Sequence, residues 1–344
     1  MSDDPFHHGS LTDVDGLLVG HHHRRGRGWS TGTTVVSAPG GAVAAVDVRG
    51  GGPGTRETDA LDPRNLVDRV HAVCLSGGSA YGLAAADGVM AELERRGLGV
   101  PVGPTPAEVV PVVPTAVIFD LGRGGRFGNR PGPEFGERAL RAAGRRFTRG
   151  SVGAGTGARA GGLQGGVGSA STTVEVADVE IAVAALAVVN AGGSLIDPTT
   201  GAPWERVAGL RRPNRADRER LRAAVAAATA PLNTTIGVVA TSASLTRAES
   251  ARLAQSAHDG LARAIRPAHT MMDGDTIFGL STGADAIPDD LTGLVRTTAS
   301  RAVHLNVLYA AAADVFATAC VDAIVTASVV GDAPTYLTLC PSAQ

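Results

Sequence analysis

The sequence predicts a layered α/β fold with mixed sheets. Runs rich in Val, Ile and Thr alternate with Ala-rich runs, but they do not follow the regular period of βαβ units. No segment repeats itself every 20–50 residues, which argues against a solenoid or propeller. The chain has 344 residues, 44% apolar, with 46 glycines, which is typical of a globular protein with many tight turns. We expect one domain spanning residues 1–344.

The elements follow from hydrophobic periodicity and from breaking residues. Predicted strands cover residues 33–36, 42–48, 70–75, 115–120, 172–176, 180–189, 234–241 and 276–280. Predicted helices cover residues 81–96, 137–146, 215–230, 246–265 and 299–319. The fourth helix has the clearest start, because Thr246 and Glu249 form the spacing of a capping box.

Composition excludes several classes of partner. The net charge is −2, and no concentrated basic face indicates a nucleic-acid partner. The chain contains no lysine, so a lysine base or Schiff base is excluded. The N-terminus is polar and the apolar runs are short, so we expect a cytoplasmic protein that does not bind membranes.

Cysteine and histidine patterns predict no metal site. The three cysteines, Cys74, Cys320 and Cys340, are far apart and lack CxxC spacing, so we expect free thiols in a reducing compartment. The triplet at residues 21–23 is all histidine. No carboxylate or cysteine accompanies it at ligand spacing, so we expect no functional metal there.

Two glycine-containing motifs resemble known sites only in part. Residues 150–168 are the most glycine-dense stretch. They lack the Gly-Lys-Ser/Thr of a P-loop and the context of a dinucleotide fingerprint, so no nucleotide cofactor is expected. The Ser79 turn between a strand and a helix lacks the closing glycine of a nucleophile elbow. We interpret it, with Tyr81, as a turn at the start of a helix that borders the site.

The junction at Asn233 and Thr234 is the most informative place. A helix and Pro231 lead almost directly into an apolar strand that begins with Thr234. An N-terminal nucleophile needs such a junction, because its hydroxyl is activated by its own α-amine. That amine has a reference pKa near 8 and is substantially neutral at working pH. Cleavage after Asn233 would therefore create the base and the nucleophile together; a plain strand start is the alternative.

Three further polar residues are candidates for the same site. Asp273 and Asp275 flank one glycine before a strand, and residues i and i+2 of extended backbone share a face. Two close carboxylates could hold a hydroxyl and an ammonium; a solvated Asp-Gly turn is the alternative. Asn190 ends an apolar strand. Its amide could donate to an oxyanion, and a turn-forming asparagine is the alternative.

Taken together, these motifs resemble the DmpA-type family of N-terminal-nucleophile aminopeptidases and nylon-oligomer hydrolases. The resemblance runs from about Leu11 to Thr282. The matching segments are residues 31–35, 47–52, 74–83, 117–121, 153–157, 233–236 and 269–276, with Asn190. The resemblance implies a layered αββα sandwich of N-terminal-nucleophile type. It also implies self-cleavage into residues 1–233 and 234–344, which stay together and assemble as homotetramers.

The resemblance also assigns roles. Thr234 would be the nucleophile, Asn190 the oxyanion donor, and Asp273 with Asp275 the acidic pair of the nylon-oligomer branch. That branch has a tyrosine where this chain has Phe119. It also has a lysine near the nucleophile that matches roughly Gly162, so the candidates here are Gly162, Gln164 and Arg159.

The expected activity is hydrolysis of a small linear amide, such as a 6-aminohexanoate oligomer or a short peptide, through an acyl-enzyme and without a cofactor. Two alternatives share this chemistry: a β-peptidyl or D-amino-acid aminopeptidase, and an acyltransferase of the ornithine-acetyltransferase type. A non-catalytic small-molecule binder is the alternative from another class.

Overall fold

The computed structural model describes residues 8–176, 178–226, 233–287 and 301–344. The strands in these ranges are β1 Leu18–Gly26, β2 Trp29–Val48, β3 Thr55–Arg56, β4 Arg69–Ser76, β5 Val100–Pro101, β6 Val109–Val110, β7 Thr115–Val117, β8 Arg159–Ala160, β9 Leu163–Gln164, β10 Gly166–Val176, β11 Val179–Asn190, β12 Thr234–Ala243 and β13 Thr276–Asp285. The helices are α1 Ala85–Arg95, α2 Pro133–Arg141, α3 Arg215–Ala226, α4 Arg247–Ala264, α5 Arg301–Val325 and α6 Tyr336–Leu339.

Nine of the described strands form one mixed sheet. Eight of them follow the order β10-β11-β12-β13-β2-β4-β7-β3, and β1 pairs with β2. The pairs β12–β13 and β4–β7 are parallel, whereas β10–β11, β11–β12 and β13–β2 are antiparallel. The predicted mixed sheet is therefore confirmed, and β12, the strand that begins with Thr234, lies between β11 and β13.

Strand β2 connects two halves of this sheet. It has 20 residues, and its register with β4 shifts between Ser37 and Ala42. The sequence predicted two strands here, over residues 33–36 and 42–48, with Pro39-Gly40-Gly41 between them. The structure has one strand instead, since this segment forms an irregularity within the strand and does not reverse the chain. The first part of β2 pairs with β1 and β4, and its last part pairs with β13.

Three hydrophobic clusters define four layers. An inner cluster joins Leu75 of β4 and Ile118 to Leu186 of β11 and Val238 of β12, so the two halves of the sheet pack face to face. The alternate residues of β11, such as Val189, belong to a second cluster with helices α4 and α5. A third cluster joins β2 and β4 to helices α1 and α2. The order is therefore helix, sheet, sheet, helix, as expected for an αββα sandwich.

Helix α5 is long and strongly apolar. Among the described residues it is the one helix with the length and composition to cross a membrane, and 67% of its most apolar window is buried inside the protein. It packs against β10, β11 and α4. The apolar character of Arg301–Val325 is therefore that of a core helix, whose side chains fill the layer next to the sheet.

Some predicted helix boundaries differ from the structure. The helix predicted for residues 137–146 is Pro133–Arg141, because a proline fits the first turn of a helix. The last helix runs on to Val325. The end of the helix predicted for residues 215–230 and the proline after it lie outside the described residues, and the described part is Arg215–Ala226.

The cysteines are buried and free, as predicted. Burial raises the pKa of the Cys74 thiol to about 12, and it also raises the pKa values of Cys320 and Cys340. A thiol with a raised pKa carries little thiolate at neutral pH, so these side chains act as apolar core residues.

The pKa values of two histidines, the half-buried His21 and the buried His258, predict that the fold loses stability in mild acid. Burial lowers the pKa of both His21 and His258 to about 4. Between pH 6.5 and 4 the unfolded chain therefore binds more protons than the folded one, and stability falls as pH falls. Between pH 7 and pH 5 the free energy of unfolding is expected to fall by up to about 1.4 kcal/mol per pH unit for each histidine. Urea unfolding is therefore expected to show a lower midpoint concentration at pH 5. A His258→Gln variant is expected to have a weaker pH dependence. Equal midpoints for the parent protein at the two pH values would contradict this account.

Candidate active site

Thr234 begins β12 and is almost completely buried, with 5% of its surface exposed. Its neighbours on both sides are sheet strands, β11 and β13. The Thr234 hydroxyl Oγ1 donates a hydrogen bond to the carbonyl oxygen of Asn233. The hydroxyl therefore lies against the same peptide group that the sequence predicted to be cut.

The Asn233 backbone extends β12 by one residue. Its N–H donates to the Met272 carbonyl oxygen at 3.3 Å, and its carbonyl oxygen accepts from the Gly274 N–H at 3.2 Å. These two bonds form a parallel bridge between Asn233 and Asp273. A backbone N–H that points at a carbonyl oxygen can stabilise the negative charge that develops there during attack.

Gly274 is required by the close approach of three groups. A Cβ at this position would lie 2.8 Å from the Gly52 carbonyl oxygen, 2.9 Å from Thr234 Oγ1 and 3.2 Å from the Pro53 Cα. In the sequence Gly274 was only the spacer between two aspartates. In the structure it leaves the space that the Thr234 hydroxyl occupies.

Asp275 links the start of β12 to a histidine. Its Oδ1 accepts from the Thr235 N–H at 2.7 Å. Its Oδ2 accepts from the His269 N–H at 3.1 Å and lies 2.8 Å from His269 Nδ1. Asp275 is buried, and these bonds fix its carboxylate beside the residue that follows Thr234.

Asp273 lies beside the residue that precedes Thr234, as the bridge partner of Asn233. Its Oδ2 accepts from the Thr270 N–H at 2.8 Å and from the Thr270 hydroxyl at 2.6 Å. The two aspartates thus lie beside the residues that flank Thr234, and in the uncut chain their oxygens bond to Thr270, Thr235 and His269. Their contact with a free Thr234 amine stays a prediction for the cut protein.

Asn190 ends β11 directly opposite Thr234 in the antiparallel register. It is fully buried. Its Oδ1 accepts from the Arg159 N–H at 3.0 Å, and its Nδ2 donates to the Phe119 carbonyl oxygen at 3.3 Å. An amide NH2 group has two donors, and donation by Asn190 to an oxyanion stays a prediction.

Arg123 is the residue of the site that the sequence did not reveal. Its guanidinium donates through Nη1 to Asn190 Oδ1 and through Nη2 to Asn233 Oδ1, the latter at 3.4 Å. The guanidinium carbon is 5.6 Å from the centre of the Phe119 ring. Burial lowers the pKa of Arg123 to about 10, so the group is charged at neutral pH. It follows a short strand within a Gly-, Arg- and Pro-rich loop, where no periodicity predicts which side chain turns inward.

The three positions considered for the missing lysine have different surroundings. The Arg159 guanidinium pairs with Asp332, and the backbone N–H of Arg159 reaches Asn190. The Gln164 amide is buried and donates to loop carbonyl oxygens, with its shortest bond at 2.9 Å to Ala158. Gly162 has a positive φ of 88°, in the β8–β9 turn. The Arg159 guanidinium thus pairs with Asp332, whereas the Arg123 guanidinium contacts both Asn190 and Asn233.

The turn at Ser79 and Tyr81 forms the start of a short 3₁₀ helix, Ser79–Ala84. The Ser79 N–H donates to the Ile118 carbonyl oxygen at 2.9 Å. Tyr81 is 53% exposed, and the Arg130 guanidinium stacks on its ring at 3.5 Å. Just before the helix, the Gly78 N–H donates to the buried Asp120 at 2.7 Å. This turn thus holds the segment from Ile118 to Asp120, which includes Phe119.

Residues of the glycine-rich stretch pack against the backbone of β11. A Cβ on Gly165 would lie 2.1 Å from the Val189 carbonyl oxygen. The Gly161 N–H donates to the Ala191 carbonyl oxygen at 3.2 Å. The described residues contain no group of three or more His, Cys, Asp or Glu side chains that could hold a metal.

Comparison with known proteins identifies the family. The sequence pattern of peptidase family S58 matches residues 9–334. An uncharacterized aminopeptidase of Mycobacterium tuberculosis is 49% identical over 357 residues, covering 97% of this chain and 98% of the relative. A 6-aminohexanoate-oligomer endohydrolase of a Kocuria species is 32% identical over 291 residues, covering 80% of this chain and 76% of the relative.

Solved structures agree on the fold. A Burkholderia beta-aminopeptidase superposes with a TM-score of 0.72 at 24% identity, covering 98% of this chain and 93% of that one. The l-aminopeptidase d-ala-esterase/amidase of Ochrobactrum anthropi, described as a variant of the Ntn hydrolase fold, superposes with a TM-score of 0.68 at 21% identity, covering 96% and 89%. The predicted N-terminal-nucleophile fold is therefore confirmed. The chain belongs to peptidase family S58, and it is an amide hydrolase of the N-terminal-nucleophile peptidase type.

Proposed function

We propose that this hydrolase activates itself by cutting its own chain between Asn233 and Thr234, and that the Thr234 released there is its nucleophile. One observation carries the proposal: the buried Thr234 hydroxyl is hydrogen-bonded to the Asn233 carbonyl oxygen. The Gly274 N–H, on the same oxygen at 3.2 Å, supports it.

The first stage converts the peptide bond into an ester. Thr234 Oγ1 loses its proton and attacks the Asn233 carbonyl carbon, while the Gly274 N–H stabilises the oxyanion. The C–N bond then breaks and the Thr234 nitrogen takes up a proton. Water hydrolyses the ester, which leaves an Asn233 carboxylate, a Thr234 hydroxyl and a free α-amine.

The second stage is the reaction with substrate. The Thr234 α-amine takes the hydroxyl proton, Oγ1 attacks the substrate amide carbon, and the substrate amine leaves with a proton. Asn190 donates to the oxyanion, and Asp273 and Asp275 orient the new amine and hydroxyl. Water then releases the acyl group as a carboxylic acid and restores Thr234.

The substrate class we propose is a small linear amide. Relatives named 6-aminohexanoate-oligomer endohydrolase and uncharacterized aminopeptidase support it, because both names denote hydrolysis of an amide bond. A short peptide with an N-terminal amine is one such substrate and a 6-aminohexanoate oligomer is another. We further propose that the processed protein works in the cytoplasm as a homotetramer.

Intact-mass analysis of the purified protein, followed by N-terminal sequencing, tests the proposal. We expect two polypeptides, of 233 and 111 residues, with threonine at the N-terminus of the smaller one. The mixture is then assayed on a 6-aminohexanoate oligomer and on a short peptide, with release of amine as the signal. A single uncut chain that hydrolyses either compound would refute the self-cleavage, and a cut protein that hydrolyses neither would refute the substrate class.

A further inference from the structure

We propose that the position of Asn233 in the uncut chain is the acyl-binding site of the mature enzyme, and that it selects substrates whose N-terminal residue is L-aspartate or L-asparagine. The inference rests on the proposed role of Thr234. It adds the identity of the residue whose carbonyl group Thr234 attacks.

The argument starts from the ester of the first stage. In that ester the Asn233 acyl group is bound to Thr234 Oγ1, and the Thr234 amine is free. An acyl-enzyme formed from substrate has the same bond between an acyl carbon and the same oxygen. The self-cleavage ester and the catalytic acyl-enzyme are therefore one kind of intermediate, and the groups around Asn233 are those that meet the substrate acyl group.

The backbone contacts of Asn233 fit an L-α-amino acid. Its nitrogen donates to the Met272 carbonyl oxygen at 3.3 Å, and its carbonyl oxygen accepts from the Gly274 N–H at 3.2 Å. A free α-ammonium in the same place would keep the first bond. It would also lie next to the backbone of Asp273, the bridge partner of Asn233.

The contacts of the Asn233 side chain specify how long and how polar the side chain of the substrate's N-terminal residue should be. Asn233 Oδ1 accepts from Arg123 Nη2 at 3.4 Å, which requires an acceptor oxygen on the side-chain carbon next to Cβ. Gly192 closes the other side, because a Cβ there would come within 2.9 Å of Asn233 Nδ2. Asn233 is 5% exposed. A short side chain that ends in an amide or carboxylate therefore matches the site, and an aliphatic one leaves Arg123 without this acceptor.

Charge favours aspartate over asparagine. The Arg123 guanidinium binds neutral amide oxygens of Asn190 and Asn233. A carboxylate in place of the Asn233 amide would form a shorter, charge-assisted bond. Arg159 adds a second positive charge near Arg123, and the buried Asp120 adds a negative one. Asp120 is already bonded to the Gly78 N–H at 2.7 Å, so the guanidinium remains oriented toward the two asparagines.

The test compares p-nitroanilides of L-aspartate, L-asparagine, L-leucine and 6-aminohexanoate on the processed protein. We expect kcat/KM for L-aspartyl p-nitroanilide to exceed that for the leucyl compound about 30-fold or more, as for a hydrogen bond to a charged group. Arg123→Lys is expected to keep a preference for aspartate, whereas Arg123→Met is expected to lower the ratio about tenfold or more. Arg126→Met, an exposed arginine of the same loop, is the matched control and is expected to leave the ratio unchanged.

A second measurement needs no variant. Free L-aspartate, the acid product, is expected to inhibit the processed wild-type enzyme at about tenfold lower concentration than L-leucine. Equal or faster hydrolysis of the leucyl compound, or equal inhibition by the two amino acids, would overturn the inference and leave the role of Thr234 intact. Loss of hydrolysis of all four compounds by a cut protein would instead refute the proposed function.

Discussion

A Thr234→Ala protein is expected to remain one chain of 344 residues and to hydrolyse no amide. The substitution removes the hydroxyl that contacts the Asn233 carbonyl oxygen, so no ester forms and no α-amine is released. The expected loss is the whole measurable activity, because the nucleophile and its base are both missing. Denaturing electrophoresis after long incubation measures cleavage, and amine release measures activity.

Two variants make this result specific. Thr234→Ser keeps a hydroxyl and can form an α-amine, so it is expected to be cut and active. Ser242→Ala removes a hydroxyl near the other end of the same strand, where Ser242 accepts from the Ala182 N–H at 3.0 Å, and it is expected to be cut normally. Normal cleavage of Thr234→Ala at residue 233 would contradict the assignment.

An Asn190→Ala protein is expected to show the second-largest effect, a loss of about 100- to 1,000-fold in kcat. The variant removes the amide that lies opposite Thr234 in the register and that holds Arg123 and the Arg159 N–H. Loss of a donor to the oxyanion weakens the transition state more than it weakens substrate binding, so KM is expected to change less than kcat. Steady-state kinetics on one p-nitroanilide separates the two parameters.

The control for this variant is Asn306→Ala, an exposed asparagine of helix α5, which is expected to leave kcat unchanged. Urea unfolding of both variants reports any change in the fold. A processed Asn190→Ala protein with unchanged kcat and a lower unfolding midpoint would mean that Asn190 serves the structure of the strand end and does not serve catalysis.

Short-range patterns in the sequence predicted the strands that carry the site. β-Branched and apolar runs gave the core strands around Asn190 and Thr234, because such side chains pack well on a sheet buried on both faces. The pairing of these strands brings Asn190 opposite Thr234. Asp273 pairs with Asn233 and Asp275 accepts from the Thr235 N–H, so both lie beside the start of β12. The resemblance to a known family supplied the roles, which the patterns alone left open.

Long-range contacts of loop side chains were beyond the sequence. Arg123 reaches Asn190, 67 residues away, and Asn233, 110 residues away; nothing local distinguishes it from the other loop arginines. His269 was part of a matching motif, but no pattern revealed its contact with Asp275 or its backbone φ of 58°. Such contacts depend on where a loop lies on the finished fold, and periodicity does not report this.

The central position of β12 and β13 in the sheet has a consequence for whether the protein can refold after it unfolds. These strands belong to the proposed small chain, yet β11 and β2, both from the large chain, enclose them in the sheet. A cut before Thr234 would break no hydrogen bond between Thr234–Ala243 and its neighbouring strands, so the sheet would keep its strand pairing. Once unfolded, however, two separate polypeptides would have to find each other again, and recovery would depend on their concentration. Before the cut, one chain can refold alone. After the cut, the lifetime of the folded protein would be set by its unfolding rate.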